Sequence, residues 1–159
     1  MDSYNSTMFN DGVFENEISS LHMSMLIHKE ILKSTIMDNI NTQPDLILDL
    51  GCGLGESSLM LSEIFPNSKV VGVDREKRFL QCAKKNNTFK QKVSYIQSDI
   101  FSLPFSDNSI DICFTRYTCQ HLSNLNDFFK EVKRVLKPSG IFMVVEVEQD
   151  LNLIIPTPK

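Results

Sequence analysis

Residues 46–55 read LILDLGCGLG, and this stretch decides the fold because it joins a buried strand to a glycine-rich turn. Its first five residues form an apolar run with the length of a buried strand. Gly51, Gly53 and Gly55 follow, and glycine permits a tight turn that a ligand can approach closely. The next segment is helical in composition, and amides at a helix N-terminus attract anions. The stretch indicates a nucleotide-type loop, although many such turns are only tight connections.

An acidic residue, Asp74, ends the next apolar run at 69–74, at the distance from the glycines where dinucleotide folds hold a ribose. A carboxylate there can accept hydrogen bonds from both ribose hydroxyls. Asp74 alternatively caps a helix beginning at Arg75, which is compatible with the ribose role, and we favour the ribose. The loop spells G-x-G-x-G with Asp49 two residues before it, whereas the dinucleotide fingerprint spells G-x-G-x-x-G. This difference argues against a nicotinamide dinucleotide.

The rest of the chain alternates strand and helix patterns. Apolar residues that recur near the helical period predict an amphipathic opening helix over residues 17–39. Alternation of strands and helices gives right-handed crossovers, so we predict a doubly wound α/β fold with a mostly parallel sheet. The predicted order after the opening helix is strand 46–50, helix 56–65, strand 69–74, helix 75–86, strand 93–97, strand 110–115, a helix ended by residues 138–140, and strand 141–145.

The composition is that of an ordinary globular chain. Its 159 residues suffice for one domain, with 42% hydrophobic and 23% charged residues. The net charge of −4 is dispersed, so we expect no nucleic-acid partner. No apolar stretch is long enough to span a bilayer and no signal peptide is evident, so we expect no membrane partner and a cytoplasmic location. The four cysteines lack metal-ligand spacing, so we expect reduced thiols and no metal.

Four ordered motifs resemble those of the class I S-adenosylmethionine-dependent methyltransferases, specifically their type 11-like small-molecule methyltransferase domain. The first motif is LDLGCGLG and the second is the strand-ending acid Asp74. The third is DIFSLPFSDNSID at 99–111, and the fourth is RVLKPSG at 134–140. Ser139 departs from the family's usual glycine, in a turn away from the cofactor. The resemblance covers residues 46–147, and the four motifs together are more specific than any one of them.

The resemblance implies S-adenosyl-L-methionine as the cofactor, held at successive strand ends. Asp49 and the loop backbone would hold the methionine end, and Asp74 would hold the ribose. Asp99 would accept a hydrogen bond from the adenine amine while the Ile100 amide donates to a ring nitrogen, although Asp99 is alternatively a simple turn residue. The full implied set of cofactor-binding residues is Asp49, Gly51, Cys52, Gly53, Gly55, Asp74, Arg75, Asp99, Ile100 and Thr115.

The family places the reactive methyl group at the end of the fourth strand, so the residues there are candidates for the acceptor side. They are Arg116, Tyr117 and His121, with Gln120 beside them. A lone histidine is more often a packing or hydrogen-bonding residue than a base, so a basic role for His121 is the minority interpretation. Arg116 either binds an anionic substrate or pairs with a neighbouring carboxylate. No residue is assigned to catalysis by sequence alone.

We divide the single domain into three segments. Residues 1–45 form a helical segment that covers the site, residues 46–147 form the cofactor-binding core, and residues 148–159 form a short tail. The family's sheet usually has seven strands, and the tail is too short to build the last two. A truncated chain is one explanation for this.

The missing strands also predict an exposed edge. Only a short element at Leu151–Ile155 can add cover, and Pro156 and Pro158 limit it. We therefore expect the strand at 141–147 to carry unpaired backbone groups and to pair with a second copy or with a partner chain.

Three functions follow from these observations. The leading hypothesis is a methyltransferase that uses S-adenosyl-L-methionine and acts on a small-molecule acceptor. The second is a catalytically incomplete module that binds the cofactor or another protein without turnover. The third, a nicotinamide-dependent oxidoreductase, conflicts with the glycine spacing and with the later motifs.

Overall fold

A computed structural model describes residues 11–87, 92–146 and 152–156, and within these ranges six strands form one sheet flanked by helices. The first ten residues of the predicted N-terminal segment and most of the predicted tail lie outside the described residues. The elements in chain order are α1 (Asp11–Asn39), β1 (Leu46–Leu50), α2 (Glu56–Ile64), β2 (Lys69–Asp74), α3 (Lys77–Asn86), β3 (Val93–Gln97), β4 (Ile110–Arg116), a 3₁₀ turn (Cys119–His121), α4 (Leu125–Val135), β5 (Leu136–Val145) and β6 (Asn152–Pro156).

The sheet has the strand order β3-β2-β1-β4-β5-β6, in which the first five strands are parallel and β6 is antiparallel. The chain leaves β1 toward β3 and then returns across β1 to β4, so the strand order reverses between β1 and β4. Ligands of such sheets bind at the carboxyl ends of the strands beside that reversal. The prediction of a doubly wound, mostly parallel α/β fold is confirmed.

Helices cover both faces of the sheet because its strands are apolar on both sides. One face packs α1, α2 and α3 against residues such as Ile47 and Phe114, and the other packs α4 against Leu48 and Leu50. The helix α1 begins six residues before the predicted position 17. No helix in the described part of the chain is both long and apolar enough to cross a membrane.

The end of α4 differs from the prediction. The helix ends at Val135, three residues before the Pro138–Gly140 segment that the sequence marks as its end. Leu136 already pairs with Ile110, whereas Ile141 pairs with Ile112, so β5 advances five residues while β4 advances two. The extra residues form a bulge at the start of β5. Proline cannot donate a ladder hydrogen bond, so such irregular positions tolerate it.

The prediction that β5 is an open edge is wrong. The strand β6 pairs with it in antiparallel register, from Ile141 opposite Pro156 to Val145 opposite Asn152. The short element predicted at Leu151–Ile155 is therefore a full strand, with its proline at the end where a missing amide costs least. Association with a second copy or a partner chain stays a prediction, and the backbone from Ile141 to Val145 is already paired with β6.

Arg134 links two of the sequence motifs. Its guanidinium donates to the carbonyl oxygens of Leu103 and Phe105, at 3.1 and 2.8 Å, and to the carboxylates of Glu131 and Asp107, at 2.7 Å each. Charge-assisted, multiple hydrogen bonds of this kind are strong and orientation-specific. Arg134 belongs to the fourth motif and thereby holds the loop after β3, which contains the third motif, against α4. This contact gives the two motifs a structural reason to occur together.

Replacing Arg134 with methionine should lower the free energy of unfolding by about 1–3 kcal/mol, because the Leu103 and Phe105 carbonyls lose their donor. Urea denaturation would measure the change. Lys133→Met is the matched control, since Lys133 is an exposed cation on the same helix. Equal stability of the two variants would contradict this structural role.

Candidate functional site

A cavity of about 610 Å³ lies at the carboxyl ends of the central strands, within the usual size range for small-molecule sites. The sheet contributes the ends of β1, β2, β3 and β4, while α1 forms part of the opposite wall. Its lining residues from the strand ends and adjoining loops include Asp49, Gly51, Cys52, Gly53, Asp74, Arg75, Asp99, Ile100, Arg116, Tyr117, Gln120 and His121, and those from α1 are Glu17, Ser20, Leu21 and Ser24.

The glycine loop needs glycine for two physical reasons. Gly51, Gly53 and Gly55 all have positive φ, at 71°, 50° and 77°, a region that side chains disfavour. A Cβ on Gly51 would also lie 2.4 Å from the Thr118 hydroxyl oxygen, whereas at Gly53 the nearest atom, on Leu21, is 3.8 Å away. The backbone at Gly53 is therefore open toward the cavity, as a ligand-cradling turn requires.

Gly55 is not among the residues that line the cavity, and its contact with the cofactor stays a prediction. Its carbonyl accepts a hydrogen bond from the Tyr95 hydroxyl at 3.2 Å, and a Cβ would lie 2.3 Å from that oxygen. The third glycine thus allows the first turn of α2 to pack closely against β3. Burial of the tyrosine raises the pKa of its hydroxyl far above the ordinary value of 10.

Asp49 is a buried acid that faces the cavity from β1. Its carboxylate accepts a hydrogen bond of 2.5 Å from the Ser58 hydroxyl on α2. Burial disfavours the charged form and raises the pKa of Asp49 to about 6, even though Ser58 and the nearby Arg116 favour ionisation. A cationic ligand beside this acid would recover part of the desolvation cost, so the site favours positive charge.

Asp74 ends β2 and is joined to the glycine loop. One of its carboxylate oxygens accepts from the Gly53 amide and the other from the Glu76 amide, both at 2.8 Å. Each oxygen keeps a second lone pair for a ligand hydroxyl. Glu76 caps α3 by accepting from the Arg78 amide, so the alternative role of Asp74 as the helix cap is not observed. Burial raises the pKa of Asp74.

Asp99 and Ile100 line the cavity beyond β3. Asp99 is exposed, and its carboxylate accepts from the Phe101 amide at 2.9 Å, which fixes the turn. Ile100 is buried against α4. Asp99 therefore acts as a turn residue and also lines the cavity, and its contact with adenine stays a prediction.

Thr115 is not among the residues that line the cavity, and its contact with the cofactor stays a prediction. Its side chain is fully buried, and its hydroxyl donates to the Leu50 carbonyl at 2.9 Å. This hydrogen bond therefore joins the end of β4 to the end of β1. The predicted acceptor-side residues Arg116, Tyr117 and His121 do line the cavity at the end of β4.

The helix α1 contributes cavity residues that sequence reasoning did not name individually. Lys29 and Lys33 form ion pairs with Glu63 of α2, at 3.1 and 3.2 Å, and His22 contacts Glu56 at the start of α2. These contacts hold α1 beside the glycine loop. In the sequence, the polar residues Glu17, Ser20 and Ser24 interrupt the apolar face of this helix. That interruption is the signal that could have identified the residues of α1 that line the cavity.

A second residue missed by sequence reasoning is Glu146, which follows β5. Its carboxylate accepts from the Thr118 and Cys119 amides at 3.0 and 2.7 Å. Burial, together with this carboxylate, raises the pKa of the Cys119 thiol to about 12. Glu146 thereby fixes the turn that carries the acceptor-side residues. An acid at the end of a predicted strand was the available signal.

Fold and cavity together define a doubly wound α/β domain with a nucleotide-type site at its switch point. The chain belongs to the methyltransferase domain family, which matches residues 48–144. It is 31% identical over 115 residues to demethylmenaquinone methyltransferase of Lactobacillus johnsonii, across 70% of this chain and 47% of that protein. It is 31% identical over 107 residues to malonyl-[acyl-carrier protein] O-methyltransferase of Legionella pneumophila, across 67% and 38%.

The fold is also that of a solved structure from Methanococcus maripaludis assigned to the S-adenosyl-L-methionine-dependent methyltransferases. The TM-score is 0.79 at 21% identity, covering 89% of this chain and 66% of that one. These matches confirm the resemblance to class I methyltransferases. The chain spans about half or less of the length of the two curated relatives.

Asp49→Asn should stabilise the protein near neutral pH. The pKa rises from 3.8 to about 6 on folding, so Asp49 reduces the free energy of unfolding progressively as the pH rises from about 4 to about 6. Asparagine removes this effect, which corresponds to a gain of about 3 kcal/mol above pH ~7 and almost none below pH ~4.

Urea denaturation at both pH values would measure the gain. The control Asp38→Asn replaces an exposed acid outside the cavity and should leave stability unchanged. An Asp49→Asn protein less stable than the wild type near pH 7 would show that the carboxylate is not a desolvated charge.

Proposed function

We propose that this chain binds S-adenosyl-L-methionine in the cavity and transfers its methyl group to a small-molecule acceptor. The observation that carries the proposal is the position of Asp49, Asp74 and Asp99, which lie within two residues of the ends of three adjacent strands and line one cavity. Family membership supports the same class of reaction. The acceptor itself is not identified by either line of argument.

The residues present fit this cofactor chemically. The Gly53 backbone is open to the cavity, and the buried Asp49 favours a cation such as an ammonium or sulfonium. Asp74 retains lone pairs for two adjacent hydroxyls. Asp99 and Ile100 line the same cavity as Asp74, and we assign them to the adenine.

When bound, the cofactor supplies a methyl group that its sulfonium already activates. The protein therefore has mainly to align the acceptor and to exclude water, and alignment can supply roughly 7–11 kcal/mol of barrier lowering. We assign alignment to Arg116, Tyr117 and Gln120 at the end of β4, and water exclusion to α1. His121 is in reach of the same space and would orient an acceptor hydroxyl or take its proton.

The second candidate function is binding without turnover. The aligned regions cover 47% and 38% of the two curated relatives, so methyl transfer by this chain is tested separately from cofactor binding. Those relatives are named for different acceptors, a quinone precursor and an acyl-carrier protein conjugate. A common cofactor site with a divergent acceptor side is consistent with both candidates.

Calorimetric titration should detect binding of S-adenosylmethionine and S-adenosylhomocysteine but not of NAD. Asp74→Asn should weaken the adenosyl ligands about 10- to 100-fold, because an amide offers the ribose one acceptor oxygen in place of two. Asp38→Asn, an exposed acid-to-amide change, is the matched control and should bind like the wild type. Binding of NAD alone would overturn the assignment.

Transfer itself is tested separately with a methyl-labelled cofactor and a panel of hydroxyl, thiol, amine and carbanion-forming small molecules. We expect the wild type to transfer label to at least one acceptor. The Asp74→Asn variant should transfer none when the cofactor concentration is below the dissociation constant of the cofactor from that variant. Tight cofactor binding without labelling of any acceptor would favour the non-catalytic module.

A further inference from the structure

Arg116 is a cation that lines the cavity. It is half-buried at the end of β4, and among the described residues no carboxylate lies within ion-pairing distance of it. Its one hydrogen bond there is from Nη1 to the Ser24 hydroxyl oxygen of α1, at 3.2 Å. A guanidinium has five N–H donors, so most of its hydrogen-bonding capacity faces the cavity unused.

The contrast with Arg134 shows how unusual this is within the chain. Arg134 sits at a similar depth and is bonded to two carboxylates and two carbonyls. Asp49 lines the same cavity, and the charge of Arg116 lowers the pKa of Asp49 while burial raises it. These two described side chains do not form an ion pair.

The guanidinium is also held in place before any ligand arrives. Its central carbon lies 4.6 Å from the centre of the Tyr117 ring, in a cation–π contact. Tyr117 has a φ of 57°, a left-handed conformation that a bulky side chain adopts only when its surroundings impose it. The Tyr117 amide donates to the Val145 carbonyl at 2.8 Å, and Glu146 fixes the next two amides.

A strained turn, an aromatic ring and a hydroxyl from α1 thus hold a fork-shaped donor at the cavity wall, where no carboxylate of the described residues comes within ion-pairing distance of it. Planar carboxylates and phosphates are the groups that such a fork binds in a bidentate manner. We propose that Arg116, supported by Tyr117 and Ser24, binds a carboxylate or phosphate group of a small molecule in this cavity. The group belongs either to the methyl acceptor or to the amino-acid end of the cofactor. The choice between these two sources rests on the proposed function.

The test uses Arg116→Gln and Arg116→Lys in the full chain, with exposed Lys84→Gln as the control for loss of one positive charge. Calorimetry with S-adenosylhomocysteine is compared with 5′-methylthioadenosine, which lacks the carboxylate and the amine. Inorganic diphosphate is then titrated into the protein loaded with S-adenosylhomocysteine, as a probe for an acceptor anion.

A cofactor source predicts that Arg116→Gln weakens S-adenosylhomocysteine at least ~10-fold but leaves 5′-methylthioadenosine unchanged. An acceptor source predicts unchanged adenosyl-ligand binding and at least ~10-fold weaker diphosphate binding. In either case Arg116→Lys should be intermediate, because it keeps the charge and loses the fork, and Lys84→Gln should match the wild type.

Two results would overturn the proposal. One is that Arg116→Gln changes none of the three affinities, and the other is that it weakens both adenosyl ligands equally, which would mean a distorted site. If the wild type binds diphosphate through Arg116 but no adenosyl ligand, the proposed function fails and the anion site stands. The two failures are therefore distinguishable.

Discussion

The carbonyl oxygen of Val73 accepts two successive amides, those of Gly51 at 2.8 Å and Cys52 at 3.0 Å, and the site depends on this pair of bonds. They pull the chain leaving β1 across the end of β2, which the left-handed conformation of Gly51 makes feasible. Asp74, the next residue after Val73, then binds the Gly53 amide. The turn after β1 and the acid that ends β2 are consequently one unit, and a change in either should displace both.

This unit also bears on the buried charge at the carboxyl ends of the two neighbouring strands β1 and β2. Asp49 and Asp74 are both desolvated, and desolvation raises the pKa of each. Their hydrogen bonds to Ser58, Gly53 and Glu76 offset part of that cost but not all of it. Residual cost of this sort is common at binding sites, where a ligand supplies the missing partner. The uncompensated desolvation of these two acids therefore lowers the free energy of unfolding. A ligand that brings a cation to Asp49 and hydroxyl groups to Asp74 would recover part of that cost.

The sheet and the acids of β1 to β3 were predictable because each leaves a strong local signal. Apolar runs bounded by turn residues identified the strands, and Asp49, Asp74 and Asp99 each stand at or just after a strand end. The errors lie where a distant partner decides the outcome. The strand β6 was underrated because its prolines were weighed without its pairing to β5, and α4 was extended because its end depends on Leu136 joining Ile110.

The same limit applies to the site. Thr115 was assigned to the cofactor from its position at a strand end, but the register of β4 against β1 turns its hydroxyl to Leu50. Gly55 serves the packing of Tyr95, forty residues away in sequence. The sequence predicted that the N-terminal helical segment covers the site, but the individual contacts of α1 and of Glu146 needed the tertiary structure because neither belongs to a motif. Composition and spacing thus identify residues whose role follows from their own strand or turn. They miss residues whose role depends on contact with an element that is distant in sequence.

The most direct test of the central claim is a crystal structure of the chain with S-adenosylhomocysteine bound. We expect the ribose hydroxyls on the Asp74 carboxylate, the adenine beside Asp99 and Ile100, and the amino-acid end near Asp49 and the Gly53 backbone. An adenosyl group bound elsewhere, or in this cavity with its ribose away from Asp74, would contradict this expectation.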